Sequence, residues 1–158
     1  MDCEMQSATV PPLDQEQATM SLITKTEIAE IVAEALPFAA SLDPKITKLK
    51  AGDVTVRMPF KRDFIRPGGT IAGPLMMGLA DFTMYVCVMS LIGRVELAVT
   101  TSLNINFLRK PAQRDMLAHG TMLKFGKRLA VMEVSLYSAG EKEPVAHVTG
   151  TYSIPPRK

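Results

Sequence analysis

The chain has no tryptophan, few aromatic residues (6%) and two cysteines, and each shortage excludes something. Cys3 and Cys87 stand far apart and make neither a disulfide framework nor the paired spacing of a zinc site, so the fold must hold without a staple. Histidine is as scarce. His119 and His147, both late in the chain, poorly supply a histidine metal site or a Ser-His-Asp triad, and strand histidines of this kind are expected to be structural. Charge of one sign is lacking too: 18 basic against 16 acidic residues leave a formal +2, too small by itself to mark a nucleic-acid binder. The first twenty residues carry Asp2, Glu4, Asp14 and Glu16 and lack the basic start and apolar run of a secretory signal. A reducing cytoplasm is the expected compartment, and no metal or redox cofactor is expected.

What the chain has in quantity is apolar surface. Hydrophobic residues make up 47% of its 158 residues and charged residues 22%, the balance of a globular protein. A chain of this length makes one domain and buries about 70% of its unfolded surface. Residues 1–20, polar and with Pro11 and Pro12 in sequence, are expected to form an arm. Thr24 or Thr26 is placed to cap a helix over 24–36. Glu27 or Glu30 would sit in its first turn, Ile28, Ile31, Val32, Ala35 and Leu36 would form its apolar stripe, and Pro37 would stop it. Strands are expected near 46–50 and, from the alternation of Val54, Val56 and Met58, just after Gly52-Asp53. Pro67-Gly68-Gly69 marks a loop over 60–72. The organisation is an arm and helix over 1–44 and the main unit over 45–158.

The longest apolar run, GPLMMGLADFTMYVCVMSLIG at 73–93, predicts a helix opened by Pro74 and stopped by Gly93. It is long enough to cross a bilayer, so a single-span membrane protein is one reading. Asp81 near its middle opposes that reading, because a carboxylate at the bilayer centre costs a few kcal/mol or more. Four strand-like runs follow, at 97–109, 116–125, 128–138 and 144–154. Short turns at Gly126-Lys127 and 139–142 make neighbours antiparallel, which gives an α+β class. In the first run Val99, Thr101, Leu103, Ile105 and Phe107 are expected on one face, and Thr100, Ser102, Asn104 and Asn106 on the other. A sheet wrapped around the helix covers only one of its sides, which predicts self-association as a dimer or tetramer.

A sheet curled round one long buried helix is the hotdog fold, and the motifs here follow a recognisable order. Arg66-Pro67-Gly68-Gly69-Thr70-Ile71-Ala72-Gly73-Pro74 leads into Leu79-Ala80-Asp81. Val99 through Leu108 continues as Arg109-Lys110-Pro111-Ala112, then come Gly126-Lys127-Arg128 and Gly150-Thr151-Tyr152. Over about residues 45–154 this resembles the PaaI-like acyl-CoA thioesterases of the phenylacetate-pathway type. That family reads Asn, Gly and His-Gly-Gly before its helix, Leu-Ala-Asp within it, and one residue fewer before the later proline.

A carboxylate among Met77, Leu79, Ala80, Tyr85 and Val88 is costly to bury unless it is paired or functional, which makes Asp81 the first candidate; a hydrogen-bonded core carboxylate is the alternative. The resemblance implies that Asp81 acts as general base for water or as nucleophile on a thioester carbonyl. Gly73 opens the helix, where its N–H can stabilise an oxyanion, or it is an ordinary glycine at a tight turn; Pro74 after it has no N–H. The resemblance gives Thr100, from a partner subunit, the role of holding the attacking water; a plain strand residue is the alternative. Asn104 and Asn106, expected on the Thr100 face, would line the pocket or bond across the dimer. Asp81 stands about two turns beyond Gly73. The centre would then lie between Asp81 and a second copy's helix start, or under loop 66–72 folded back.

Ala72 and Arg66 replace the family His and Asn. Ala72 offers no side-chain bond, and the missing His argues against dehydratase chemistry. Arg66 would meet the thioester or the pantetheine arm, or pair with Asp63 or Asp81. Gly69, Ala72 and Pro74 belong to the same substrate-contacting loop. Arg109, Lys110, Arg114, Lys124, Lys127 and Arg128 fall close together with Asp115 the only acid among them. They form a solvated edge, or a patch in which Lys124, Lys127 and Arg128 bind coenzyme A phosphates. Met76, Met77 and Phe82 are expected to line an acyl tunnel. The implied activity is acyl-CoA thioester hydrolysis, with coenzyme A entering only as part of the substrate. A non-catalytic acyl-thioester-binding protein on the same fold is the other reading.

Overall fold

The computed structural model describes residues 20–156. The expected arm, apart from Met20, lies outside the described residues, and so does Cys3. The first helix, α1 (Lys25–Ala35), opens on a capping box. Thr24 Oγ1 accepts the Glu27 N–H at 3.2 Å, and Glu27 Oε2 accepts the Thr24 N–H at 2.8 Å. Ile28 and Ile31 are buried, and Val32 and Leu36 pack against the core. Pro37 ends α1 and at once begins α2 (Pro37–Leu42), since a first-turn residue needs no N–H.

Two strands follow, β1 (Lys45–Lys50) and β2 (Asp53–Met58). The 60–72 segment is more than a loop. After a 3-10 turn at Arg62–Phe64, β3 (Ile65–Arg66) and β4 (Thr70–Ile71) pair as a miniature hairpin. Pro67-Gly68-Gly69 forms its turn, with both glycines at positive φ. The long helix α3 (Gly73–Ile92) comes next, and β5 (Val99–Phe107), β6 (Met116–Phe125), β7 (Leu129–Ser138) and β8 (Ala146–Ser153) complete one antiparallel sheet in the order β1-β2-β6-β7-β8-β5. This is the α+β hotdog fold, a curved antiparallel sheet wrapped around one long apolar helix.

Helix α3 is apolar on nearly every side because nearly every side meets protein. Leu79, Met84, Val86, Val88 and Met89 are fully buried, each contributing about 2 kcal/mol of burial. Of its most apolar stretch 67% is buried within the fold, much of it against the sheet. Part of its other side is covered by this chain: the Leu22 N–H donates to Ser90 O at 2.8 Å, and the Phe38 ring of α2 lies against Gly78. Pro74 and Met77 remain exposed and Gly78 and Asp81 half-buried, so the surface left for a second copy narrows to a strip on the first half of the helix.

Strand β5 departs from its expected alternation. Leu103 pairs with Gly150 and Ile105 with Val148, both on the core side, but the register shifts between Thr100 and Ser102. This bulge inserts one residue and puts Thr100, still solvent-exposed, on the helix-facing side opposite buried Tyr152. Thr100 therefore does not share a face with Asn104 and Asn106. Those two stand on the outer face, where Asn106 Nδ2 donates to Asn104 Oδ1 at 3.2 Å.

Candidate active site

Asp81 comes from the third turn of α3, between fully buried Ala80 and buried Phe82, and its own side chain is half-buried. Two hydroxyls converge on one carboxylate oxygen. Thr100 Oγ1 donates to Oδ1 at 2.5 Å, and the Tyr152 phenol lies 2.9 Å from the same Oδ1 and 3.0 Å from the Asp81 carbonyl. Among the described residues no side chain donates to Oδ2. Thr100 belongs to the same chain as the carboxylate it holds, where a residue from across an interface was expected. Burial, and then the neighbouring Asp81 charge, push the Tyr152 phenol above its ordinary pKa, so it stays a donor. The carboxylate lines a cavity of about 500 Å³ whose other walls include Phe38, Gly78, Phe82, Tyr85 and Ala98.

Tyr152 was missed as a site residue, although the sequence carried a signal for it. Along β8 the residues Ala146, Val148, Gly150 and Tyr152 are all buried. That alternation aims the phenol at the core, where a buried Tyr hydroxyl needs a partner.

Gly73 lines a different cavity, of about 450 Å³, together with Arg66, Met76, Phe107, Arg109 and Lys110. A Cβ at position 73 would lie 3.2 Å from the Phe107 ring, so glycine lets the helix start approach β5 closely. The first N–H groups of a helix have no partner within it, and Pro74 supplies none, which leaves the Gly73 N–H as the local donor. Ala72 precedes it without a side-chain cap, its N–H donating to Phe64 O at 2.9 Å. Gly69 sits exposed in the hairpin turn at φ 71°, and its carbonyl accepts Gln113 Nε2 at 2.9 Å. The 66–72 segment does not fold back over Asp81. Arg66 lines the Gly73 cavity, and among the described residues it pairs with neither Asp63 nor Asp81.

The other candidates disperse. Arg109, Lys110 and Arg114 precede β6, whereas exposed Lys124, Lys127 and Arg128 lie at its far end. Lys124 stands ten positions beyond Arg114, nearly all of them along extended β6, about 30 Å. Of the three residues expected in an acyl tunnel, Phe82 lines the Asp81 cavity, Met76 lines the Gly73 cavity, and Met77 is 40% exposed. His119 pairs with Asp53 at 2.8 Å and His147 with Glu133 at 3.0 Å, both half-buried strand pairs. Among the described residues no cluster of His, Cys, Asp and Glu is arranged to hold a metal.

Comparison with known proteins agrees with this architecture. The family model described as Thioesterase superfamily matches residues 68–145, a stretch that contains Gly73, Asp81 and Thr100. A "putative esterase" of Saccharolobus solfataricus is 30% identical over 115 residues, covering 73% of this chain and 81% of that protein. The crystal structure of a "putative thioesterase" from a Silicibacter species is 39% identical, with a TM-score of 0.78 over 89% of this chain and 97% of that one. A mutant of phenylacetic acid degradation protein PaaI from Thermus thermophilus is 25% identical, with a TM-score of 0.67 over 75% and 99% of the two chains. The chain belongs to the thioesterase superfamily. Within it the similarity extends to PaaI-like and other hotdog thioesterases alike, without singling out the phenylacetate pathway.

Proposed function

We propose that this protein hydrolyses an acyl-CoA thioester to the free acid and coenzyme A. The observation that carries the reading is the Asp81 carboxylate in a cavity wall, with Oδ1 anchored by two hydroxyls and, among the described residues, no side chain donating to Oδ2. Such a carboxylate either takes a proton from water as that water attacks the thioester carbon, or attacks the carbon itself. In the first route the C–S bond breaks and the proton taken from water passes to the departing sulfur; in the second the thiolate leaves behind a mixed anhydride on Asp81, which water hydrolyses to the free acid, and the proton released by that water goes to the thiolate.

The carbonyl oxygen needs a donor as charge develops on it, and the Gly73 N–H fills that role. Asp81 lies eight residues beyond Gly73 along the helix, about 12 Å, and the two line different cavities. A centre joining Asp81 of one copy to Gly73 of another resolves the separation. The exposed edge strand β5 and the uncovered strip of α3 support this homodimer, alone or doubled into a tetramer. Thr100 then positions Asp81 within its own chain. Gly69, Ala72 and Pro74 shape the approach to Gly73, and Lys124, Lys127 and Arg128 are the proposed contacts for coenzyme A phosphates. The proposed site of action is the cytoplasm.

A panel of acyl-CoA thioesters with a thiol reagent measures the turnover. Asp81→Asn keeps an oxygen for both hydroxyls but removes the base, so kcat falls about 10²-fold or more in a protein that stays folded. Wild-type turnover by the variant overturns the mechanism, and a stable monomer in light scattering removes the shared centre. Non-catalytic binding is favoured by one observation, Ala72, which brings no side-chain donor to the helix start. Acyl-CoA bound but never hydrolysed by the wild type selects that reading.

A further inference from the structure

We infer that the cavity beside Gly73 selects an acyl group ending in a carboxylate, so that the substrate is a monothioester of a short dicarboxylic acid held by Arg66 and Lys110. This rests on the thioesterase reading above and names the substrate class for it.

Arg66, Arg109 and Lys110 bring positive charge to this cavity, and among the described residues no carboxylate lines it. Arg109 is paired with Glu143, whereas among the described residues Arg66 and Lys110 have no ion-pair partner. The rest of the wall is largely apolar, with buried Ile71 and Met76 and the half-exposed Phe107 and Leu108, and the cavity opens to solvent on the side of the cations. The two cation-bearing segments are tied together and to the sheet. Gln113 Nε2 bonds the Gly69 carbonyl at 2.9 Å, the Leu108 N–H donates to Val145 O at 2.8 Å, and the Ala112 N–H donates to Ser138 Oγ at 2.9 Å. The backbones carrying Arg66 and Lys110 are therefore set before any ligand arrives, which reduces the ordering cost of binding. Arg66 and the extra residue before Pro111 are separate departures from the resembled motif order, and they meet at this one cavity.

Reach decides which anion fits. A sphere of 450 Å³ is about 10 Å across, and Gly73 lies in its wall. The diphosphate of coenzyme A stands some thirteen bonds from the sulfur, about 15 Å along an extended arm, beyond a cavity that also holds the carbonyl. A carboxylate three to five bonds from the carbonyl carbon lies only about 4–6 Å away. With the carbonyl on Gly73, the acyl group enters the Arg66 cavity and the thiol arm leaves past the partner copy's Asp81 cavity. The guanidinium fork suits two carboxylate oxygens, and Lys110 adds a point charge.

The test compares kcat/KM for succinyl- against butyryl-CoA and for adipoyl- against hexanoyl-CoA, in the wild type, Arg66→Ala and Lys110→Ala. The expected result is a wild-type preference for the carboxylate-bearing member of each pair that falls about tenfold or more in each variant. A wild-type preference for the neutral thioesters, or a ratio that neither variant moves, overturns the inference and leaves the thioesterase reading standing. Calorimetry of the same four thioesters with Asp81→Asn, and with that variant also carrying Arg66→Ala, reads the preference without turnover. A wild type that hydrolyses no thioester defeats the thioesterase reading, while the binding ratio still decides the carboxylate site.

Discussion

The two hydroxyls on Asp81 can be removed one at a time. Tyr152 is 2% exposed, and Tyr152→Phe deletes one oxygen while keeping the ring against Tyr85, whose centroid is 6.4 Å away. A hydrogen bond to a charged acceptor contributes about 1.5–3 kcal/mol. The phenol has one proton for two oxygens of Asp81, so only one bond is lost, and half-buried Asp81 can recover part of it from water. The expected cost is then about 1 kcal/mol, or roughly 2–4 °C in Tm for a chain of this size. Thr100→Val keeps the branched shape and removes the other donor, at a smaller cost because Thr100 is exposed. In activity each single change lowers kcat about five- to tenfold, since one hydroxyl still fixes Oδ1. The double variant leaves Oδ1 with no protein donor and falls by more than the product of the single effects, because each donor compensates for loss of the other. Circular dichroism melts and steady-state kcat and KM on the four proteins complete the cycle. A Tyr152→Phe enzyme with unchanged kcat, or with its loss confined to KM, refutes the argument that these hydroxyls aim the carboxylate. Independent multiplication of the two effects refutes the shared oxygen.

Three further outcomes follow from the packing and charge. A Cβ on Gly150 would run into the fully buried Met84 side chain and lie 3.2 Å from Ser102 O; Gly150→Ala should cost about 1–3 kcal/mol in urea unfolding, and an unchanged midpoint shows that Met84 has room to move. Asp115 accepts the Phe60 N–H at 2.8 Å and an Arg57 ion pair, which hold its carboxyl below the ordinary 3.8. Its contribution is therefore present at neutral pH and lost on acidification, so the stability gap between wild type and Asp115→Asn should narrow from about pH 5 to about pH 3; a constant gap contradicts it. Burial pushes the Cys87 thiol up to about 12, so a disulfide reagent should label it only after unfolding, as read by peptide mass spectrometry; fast native labelling means that the core opens.

Much of the fold was legible because its signals are local. Periodicity and capping placed α1 at Thr24 and Glu27, Pro74 and Gly93 bounded α3, and short turns made the last strands antiparallel. A lone carboxylate in an apolar helix named Asp81, because burying charge without purpose is costly. The 60–72 segment was harder, since two-residue strands carry no period to read and their pairing appears only when they meet.

The order of the main elements and the α+β class could be read from local sequence patterns, without α2 or the β3–β4 hairpin, and the same patterns singled out Asp81 as the candidate. Tertiary structure decided what stands around that residue. A bulge against β8 moved Thr100 to the face of Asp81 and left Asn104 outside, because register belongs to a pair of strands and a one-residue shift reverses every side chain beyond it. Tyr152, 71 positions from Asp81, reached it only when β8 closed beside β5. The basic residues close in sequence were separated by the extended length of β6, while Arg66 and Lys110, distant in sequence, came to one cavity. Local patterns set secondary structure at distances of a few residues, whereas chemistry needs atoms within a few ångströms, and only packing of distant segments supplies that nearness.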